Sequence, residues 1–191
     1  MLRISAWLGL RTLLTIPGIV YSFFDASRPT LDYDGVERRA EEGLRKLVPL
    51  AEELGVRMAI ENVWNKFLLS PTERRAFVDR FESAHVGAYV DVANVLPYGH
   101  PDQWLRILGP RVMGIHFKDF RKSVGTEHGF VGLLEGDVDW PSVMSAIREI
   151  GYDGPVVAEM IPNYAHYGKV KIGNASRAMD AILAGGEERT G

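Results

Sequence analysis

Five times along this chain of 191 residues an apolar, strand-like run is followed by an amphipathic, helix-like stretch. The runs are Arg11–Pro17, "VRMAIEN" (56–62), "VGAYVDV" (86–92), "VMGIHF" (112–117) and "GPVVAEM" (154–160). Between them, Val36, Ala40, Leu44, Leu47, Ala51 and Leu54 recur at spacings of three and four, which predicts a helix over 35–54 stopped by Gly55. Ser70 caps a second helix with Pro71 at its first position, running to about Phe81. "PDQWLRIL" is a short helix ended by Gly109. Another runs from an Asp139 cap to Gly151, and the last covers "NASRAMDAILAG" (174–185). Continuous apolar strands alternating with amphipathic helices predict a parallel sheet covered by helices.

Two architectures satisfy that pattern: an open doubly wound sheet and a (β/α) barrel. The open sheet usually carries a glycine-rich phosphate turn after its first strand, and neither G-x-G-x-x-G nor G-x-x-x-x-G-K occurs. A barrel instead presents functional side chains at the C-terminal ends of several strands. Four of the runs do so: "RMAIENVW" carries Glu61, "GAYVDVANV" Asp91, "VMGIHFKDF" His116 and "GPVVAEMIP" Glu159. A complete barrel has eight units and typically ~250 residues, so the expected fold class is α/β, a partial (β/α)8 TIM barrel of about five β-α units. The chain is read as a single partial-barrel domain over 1–191.

Singly, each of the four residues has an ordinary explanation, such as a hydrogen-bonded histidine or a solvated or capping carboxylate. Jointly they would place three carboxylates and an imidazole behind apolar strands, which is costly without a cation. A divalent ion removes that cost. The mixed oxygen and nitrogen set suits Mn²⁺, Mg²⁺, Co²⁺ or Zn²⁺ over a soft metal.

"IENVWN", "AYVDVANV", "GIHFKDF", "LLEGDVDW" and "VVAEMIP", in this order, resemble the xylose-isomerase-like barrel family of sugar and sugar-phosphate epimerases and isomerases. The similarity is greatest to the D-tagatose 3-epimerase and L-ribulose-5-phosphate 3-epimerase branch. The resemblance implies one divalent metal, Mn²⁺ first, held by Glu61, Asp91, His116 and Glu159 on the fifth to eighth family strands. It implies proton abstraction beside the carbonyl of a ketose or ketose phosphate through an enediolate, with Glu61 and Glu159 also serving as the acid/base pair. Asn94 stands where some relatives carry a substrate-touching histidine. Lys118, Arg121 and Lys122 are candidate contacts for a substrate phosphate or hydroxyl. The competing reading for these basic residues is a solvated loop paired with Asp119. Trp64 is a candidate sugar platform, while Phe67 and Trp104 read as packing residues. Glu127 and His128 lie in a long Gly-rich loop near the expected mouth of the site, and Gly136 reads there as a tight-turn residue.

By the same resemblance "AWLGLRTLLTIPG" corresponds to the end of the third helix and the fourth strand, so the first three β-α units are expected to be absent from this chain. Self-association, and an inner face of Leu13, Ile60, Tyr89 and Ile115 left partly open to water, are expected in consequence. The first alternative is a truncated, inactive or oligomerising partial barrel acting as a binding protein. A lesser one is an inosose dehydratase or hydroxypyruvate isomerase. The abasic-site endonuclease branch needs more histidines and a basic face. A formal net charge of -3 with no basic block argues against nucleic-acid binding. Arg3 and Arg11 interrupt the apolar start, against a signal peptide, and no run of 18 apolar residues predicts a membrane span. The absence of cysteine excludes thiolate metal sites; cytoplasm is the default expectation.

Overall fold

The computed structural model describes residues 1–22, 25, 27–161 and 166–185. Its main sheet has five parallel strands in the order β1-β2-β3-β4-β7. They are β1 (Thr12–Thr15), β2 (Arg57–Glu61), β3 (Val86–Asp91), β4 (Val112–Phe117) and β7 (Val156–Ala158). The helices are α1 (Leu2–Trp7), α2 (Tyr33–Leu54), α3 (Pro71–Asp79), α4 (Pro101–Leu108), α5 (Trp140–Glu149) and α6 (Gly168–Leu183). β5 (Asp119–Phe120) and β6 (Phe130–Val131) form a separate antiparallel pair. This order and alternation are those of five successive β-α units of a TIM barrel. No described helix is long and apolar enough to cross a membrane.

Contacts group the chain into two compact units, Met1–Val90 with Ile107–Gly114, and Asp91–Arg106 with Ile115–Gly191. In the first, β1 pairs with β2 and β2 with β3, in registers that set Leu13 against Met58 and Glu61 against Tyr89. Successive strand residues face opposite ways, so Met58 and Ile60 point to the helices while Ala59 and Glu61 point to the other face. The helix side is a dense apolar cluster that includes Val36, Ala40, Leu44, Ile60, Phe67 and Phe77. Phe77 packs edge-on against both Phe67 and Phe81. Each such fully buried side chain contributes about 1.5–3 kcal/mol. On the other face Tyr89 sits with Ala59 and Met113. Gly114 makes room for it, because a Cβ there would lie 2.3 Å from the Tyr89 ring.

The caps form as the sequence predicts. Ser70 accepts the Glu73 N–H at 3.1 Å, and Gly55 ends α2 in the left-handed region at φ 63°. Asp32, unnoticed in the sequence, caps the start of α2 by accepting the Gly35 N–H. Leu47 is exposed, and Val48 packs on the core in its place. The expected common inner face of Leu13, Ile60, Tyr89 and Ile115 is a misassignment. Ile60 belongs to the helix-side cluster and Tyr89 to the opposite face, by strand alternation. Ile60, Tyr89 and Ile115 are all buried; of the four, Leu13 alone is partly exposed.

In the second unit, the end of β4 pairs with β7, setting Ile115 against Val156, His116 against Val157 and Phe117 against Ala158. Asp139 caps α5 through the Ser142 N–H, and Gly151 follows the helix at φ 64°. Phe117 packs against Trp140 with ring centroids 4.9 Å apart. The long loop after β4 is more ordered than its sequence implies. It contains a 3-10 turn at Glu127–Gly129 leading into β6. Gly136 has no positive φ; the left-handed residue of that turn is Leu134. Glycine is required at 136 for space, since a Cβ would lie 2.2 Å from an Asp119 oxygen.

Candidate metal centre

The four ligand-type residues occupy strand ends. Glu61 is the last residue of β2 and Asp91 the last of β3. His116 is the penultimate residue of β4. β7 is shorter than the sequence predicts, and Glu159 follows its last residue, held to the sheet by donating its N–H to Phe117 O at 2.9 Å. One ligand atom from each of Glu61, Asp91, His116 and Glu159 lies within 4.8 Å of the others.

Within the second unit the geometry is detailed. Asp91 is fully buried, and its Oδ1 accepts the N–H groups of Ala93 and Asn94, both at 2.9 Å. That turn fixes the carboxylate and leaves Oδ2 toward the group, 3.9 Å from His116 Nδ1. His116 Nδ1 is 3.4 Å from Glu159 Oε2. Lys118, two residues after His116, points the same way along the strand. Its Nζ lies 3.0 Å from Glu159 Oε2 and 3.4 Å from Asp91 Oδ2. Asn94 Oδ1 accepts a hydrogen bond from it at 3.3 Å. Three carboxylates against one ammonium leave a surplus of negative charge around a buried position, which is the electrostatic condition for holding a cation. The hard oxygens and the single imidazole nitrogen fit a divalent ion of the Mn²⁺, Mg²⁺, Co²⁺ or Zn²⁺ kind.

The hydrogen bond with His116 holds the Glu159 carboxyl down at about 2, against opposition from burial and with help from Lys118. A depressed carboxyl contributes stability in full above its ordinary value of 4.5, and that contribution disappears as pH falls through about 2. Metal-free protein is therefore expected to lose stability relative to Glu159→Gln across that acidic window. Urea unfolding in chelator at a series of pH values measures this, and parallel profiles would contradict it.

The other candidates separate. Asn94 is buried at the cluster. Lys118 is only 3% exposed, so the solvated-loop reading fails for it. It makes no local pair with Asp119, because adjacent strand residues face opposite ways. Arg121 and Lys122 are exposed; the Arg121 side chain donates to Glu135 O and the Lys122 backbone to Asp137. Trp64 is half-buried, whereas Phe67 and Trp104 are core residues as expected. Glu127 is half-exposed and His128 points largely into solvent, 3.9 Å from it.

Three supporting roles escaped the sequence reading. Arg74 is fully buried in α3 and donates to Ile60 O at 3.1 Å and Leu68 O at 3.3 Å, bracing the backbone beside Glu61 and the loop that follows. Tyr33 OH accepts the Leu68 N–H and donates to Glu73, and burial first, then Glu73, pushes its phenol up to about 12. Asp119 is fully buried and anchors the loop after β6 through four N–H groups. An N-cap pattern before α3 was the only available signal for the Arg74 and Tyr33 arrangements.

The family model described as "Xylose isomerase-like TIM barrel" matches residues 1–180. The chain belongs to this family. Its relatives include the uncharacterized protein MJ1311 of Methanocaldococcus jannaschii, 26% identical over 122 residues, covering 61% of this chain and 41% of that protein. The L-ribulose-5-phosphate 3-epimerase UlaE of Escherichia coli O1:K1 / APEC is 24% identical over 148 residues, 77% of this chain and 51% of that one. The chain spans about half the length of these curated relatives. Among solved structures, the IOLI protein with a binding zinc atom superposes with TM-score 0.80 at 18% identity, covering 96% of this chain and 66% of that one. D-psicose 3-epimerase with D-tagatose, from Clostridium cellulolyticum H10, gives TM-score 0.77 at 18% identity, with coverages of 98% and 68%. At such identities these structures establish the fold of the xylose isomerase-like chain and nothing finer.

Proposed function

We propose that this chain carries the metal-dependent centre of a sugar epimerase or isomerase acting on a ketose or ketose phosphate. The observation that carries this reading is the gathering of Glu61, Asp91, His116 and Glu159 at strand ends. Family membership and the epimerases among its relatives support it, as does the zinc atom of the IOLI protein. In this reading the four residues hold one divalent metal, which supplies Lewis acidity toward the substrate carbonyl. Glu61 and Glu159 move the proton, one removing it from the carbon beside the carbonyl and the other returning one to the opposite face. Asp91, locked by two backbone N–H groups, and His116 act as ligands without a proton role. Asn94 and Trp64 orient hydroxyls and ring, and the exposed Arg121 and Lys122 meet a phosphate where the substrate has one.

The test is a metal titration of chelator-stripped protein with Mn²⁺, Co²⁺, Zn²⁺ and Mg²⁺. The loaded protein is then incubated with a panel of ketoses and ketose phosphates in D₂O. One equivalent of bound metal and deuterium beside the carbonyl are expected. No binding at millimolar metal would overturn the reading. Binding without exchange on any sugar would favour a partial barrel that holds metal but does not turn over.

A further inference from the structure

The position of Lys118 raises a question that substrate binding does not answer. A lysine ammonium has three donors. Here Glu159 Oε2 at 3.0 Å, Asn94 Oδ1 at 3.3 Å and Asp91 Oδ2 at 3.4 Å supply three oxygen neighbours. The remaining side of Nζ rests on the Phe130 ring, 4.1 Å from its centroid, where the π face favours a cation. The ammonium is thus fully engaged inside the cluster, and contact with a substrate would break an existing partnership. Two of its oxygens belong to residues of the ligand-type group, on the two carboxylates it bridges.

We propose that Lys118 is a resident counter-ion that competes with the metal: it neutralises Asp91 and Glu159 when no metal is bound and thereby limits how tightly a divalent ion is held. The proposal rests on the metal-site reading above. Two consequences follow from Coulomb's law. A positive charge within hydrogen-bonding distance of two ligand carboxylates repels an incoming dication and must move or share its oxygens. Without either cation, Asp91 is a fully buried carboxylate beside other carboxylates, which is strongly destabilising. Lysine and metal therefore do the same electrostatic work in alternation.

The experiment compares wild type with Lys118→Met, which keeps the stem and removes the charge. It measures Mn²⁺ affinity by titration and the melting temperature with chelator and with saturating Mn²⁺. Lys118→Met is expected to bind Mn²⁺ about tenfold or more tightly than wild type. It should melt lower than wild type in chelator and recover in Mn²⁺, so that the metal-induced shift is larger in the variant. Equal or weaker Mn²⁺ affinity in a folded variant would overturn the proposal while leaving the metal site standing. A variant that stays unfolded even in saturating Mn²⁺ would also overturn it, since the lysine would then be doing structural work that a metal cannot replace. Failure of both proteins to bind Mn²⁺ would instead remove the metal reading itself, and this inference with it.

Discussion

Asp119→Ala is expected to destabilise the protein by about 3–5 kcal/mol, a large part of the ~5–15 kcal/mol that holds an ordinary domain together. The Asp119 side chain is inaccessible to solvent, and its two oxygens gather four N–H groups. Oδ1 accepts from Phe120 N at 2.9 Å and Val138 N at 3.2 Å. Oδ2 accepts from Leu134 N at 3.0 Å and Trp140 Nε1 at 3.4 Å. A buried donor stripped of its acceptor costs about 1–3 kcal/mol, and water entering the new cavity recovers part of that. Gly136 packs directly on this carboxylate, so the loop loses its seat as well as its hydrogen bonds. Asp119→Asn keeps one carbonyl acceptor and should fall between alanine and wild type. Urea denaturation gives the free energies, and amide exchange at Leu134 and Val138 locates the loss. A cost below about 1 kcal/mol for the alanine variant would mean that solvent satisfies these donors.

The largest effect on chemistry is expected from Glu159→Gln. In a preparation that exchanges the proton beside a ketose carbonyl, the amide should slow that exchange by about 10²–10⁴-fold, the usual worth of a positioned acid or base. Glutamine keeps the length of the side chain and an oxygen ligand, so part of the metal affinity should survive. That combination separates a proton-transfer role from a ligand role. Exchange at the wild-type rate would reduce Glu159 to a ligand at most. Loss of metal and exchange in proportion would mean that the proton passes through another group. Deuterium uptake by NMR, alongside a metal titration of the same sample, reads both quantities.

Much of the arrangement is legible in the sequence because it is written in short-range patterns. The strand carrying Glu61 and the one carrying Asp91 are apolar runs with one charged residue at the end, and both form as such. α4 spans Pro101–Leu108 and β4 spans Val112–Phe117, each as predicted. Ser70, Asp139 and Gly55 act through backbone groups a few residues away, so their chemistry needs no tertiary information. The elements that escaped lack such patterns. α6 begins at Gly168, six residues before the predicted start, through a stretch whose two glycines and β-branched Val170 and Ile172 lower its helix preference. β5 and β6 are two residues each, too short to show any period.

The sequence by itself determined the order of the five main-sheet strands and the helices between them, the caps at Ser70, Asp139 and Gly55, and the placement of Glu61, Asp91, His116 and Glu159 at or beside strand ends. These follow from periodicity and local hydrogen bonding, which act over a few residues. Only the tertiary structure decided what the neighbouring charges do. Lys118 and Asp119 are adjacent in sequence and look like an ion pair. The alternation of the extended chain turns them to opposite sides, one into the carboxylate cluster and the other into a nest of backbone donors. Arg74 looks like a surface helix residue and is buried, because the Ile60 and Leu68 carbonyls that accept from it come from a preceding strand and loop. Electrostatics and burial depend on distance in space, and the partners that decide Arg74 and Lys118 lie 6 to 41 positions away along the chain.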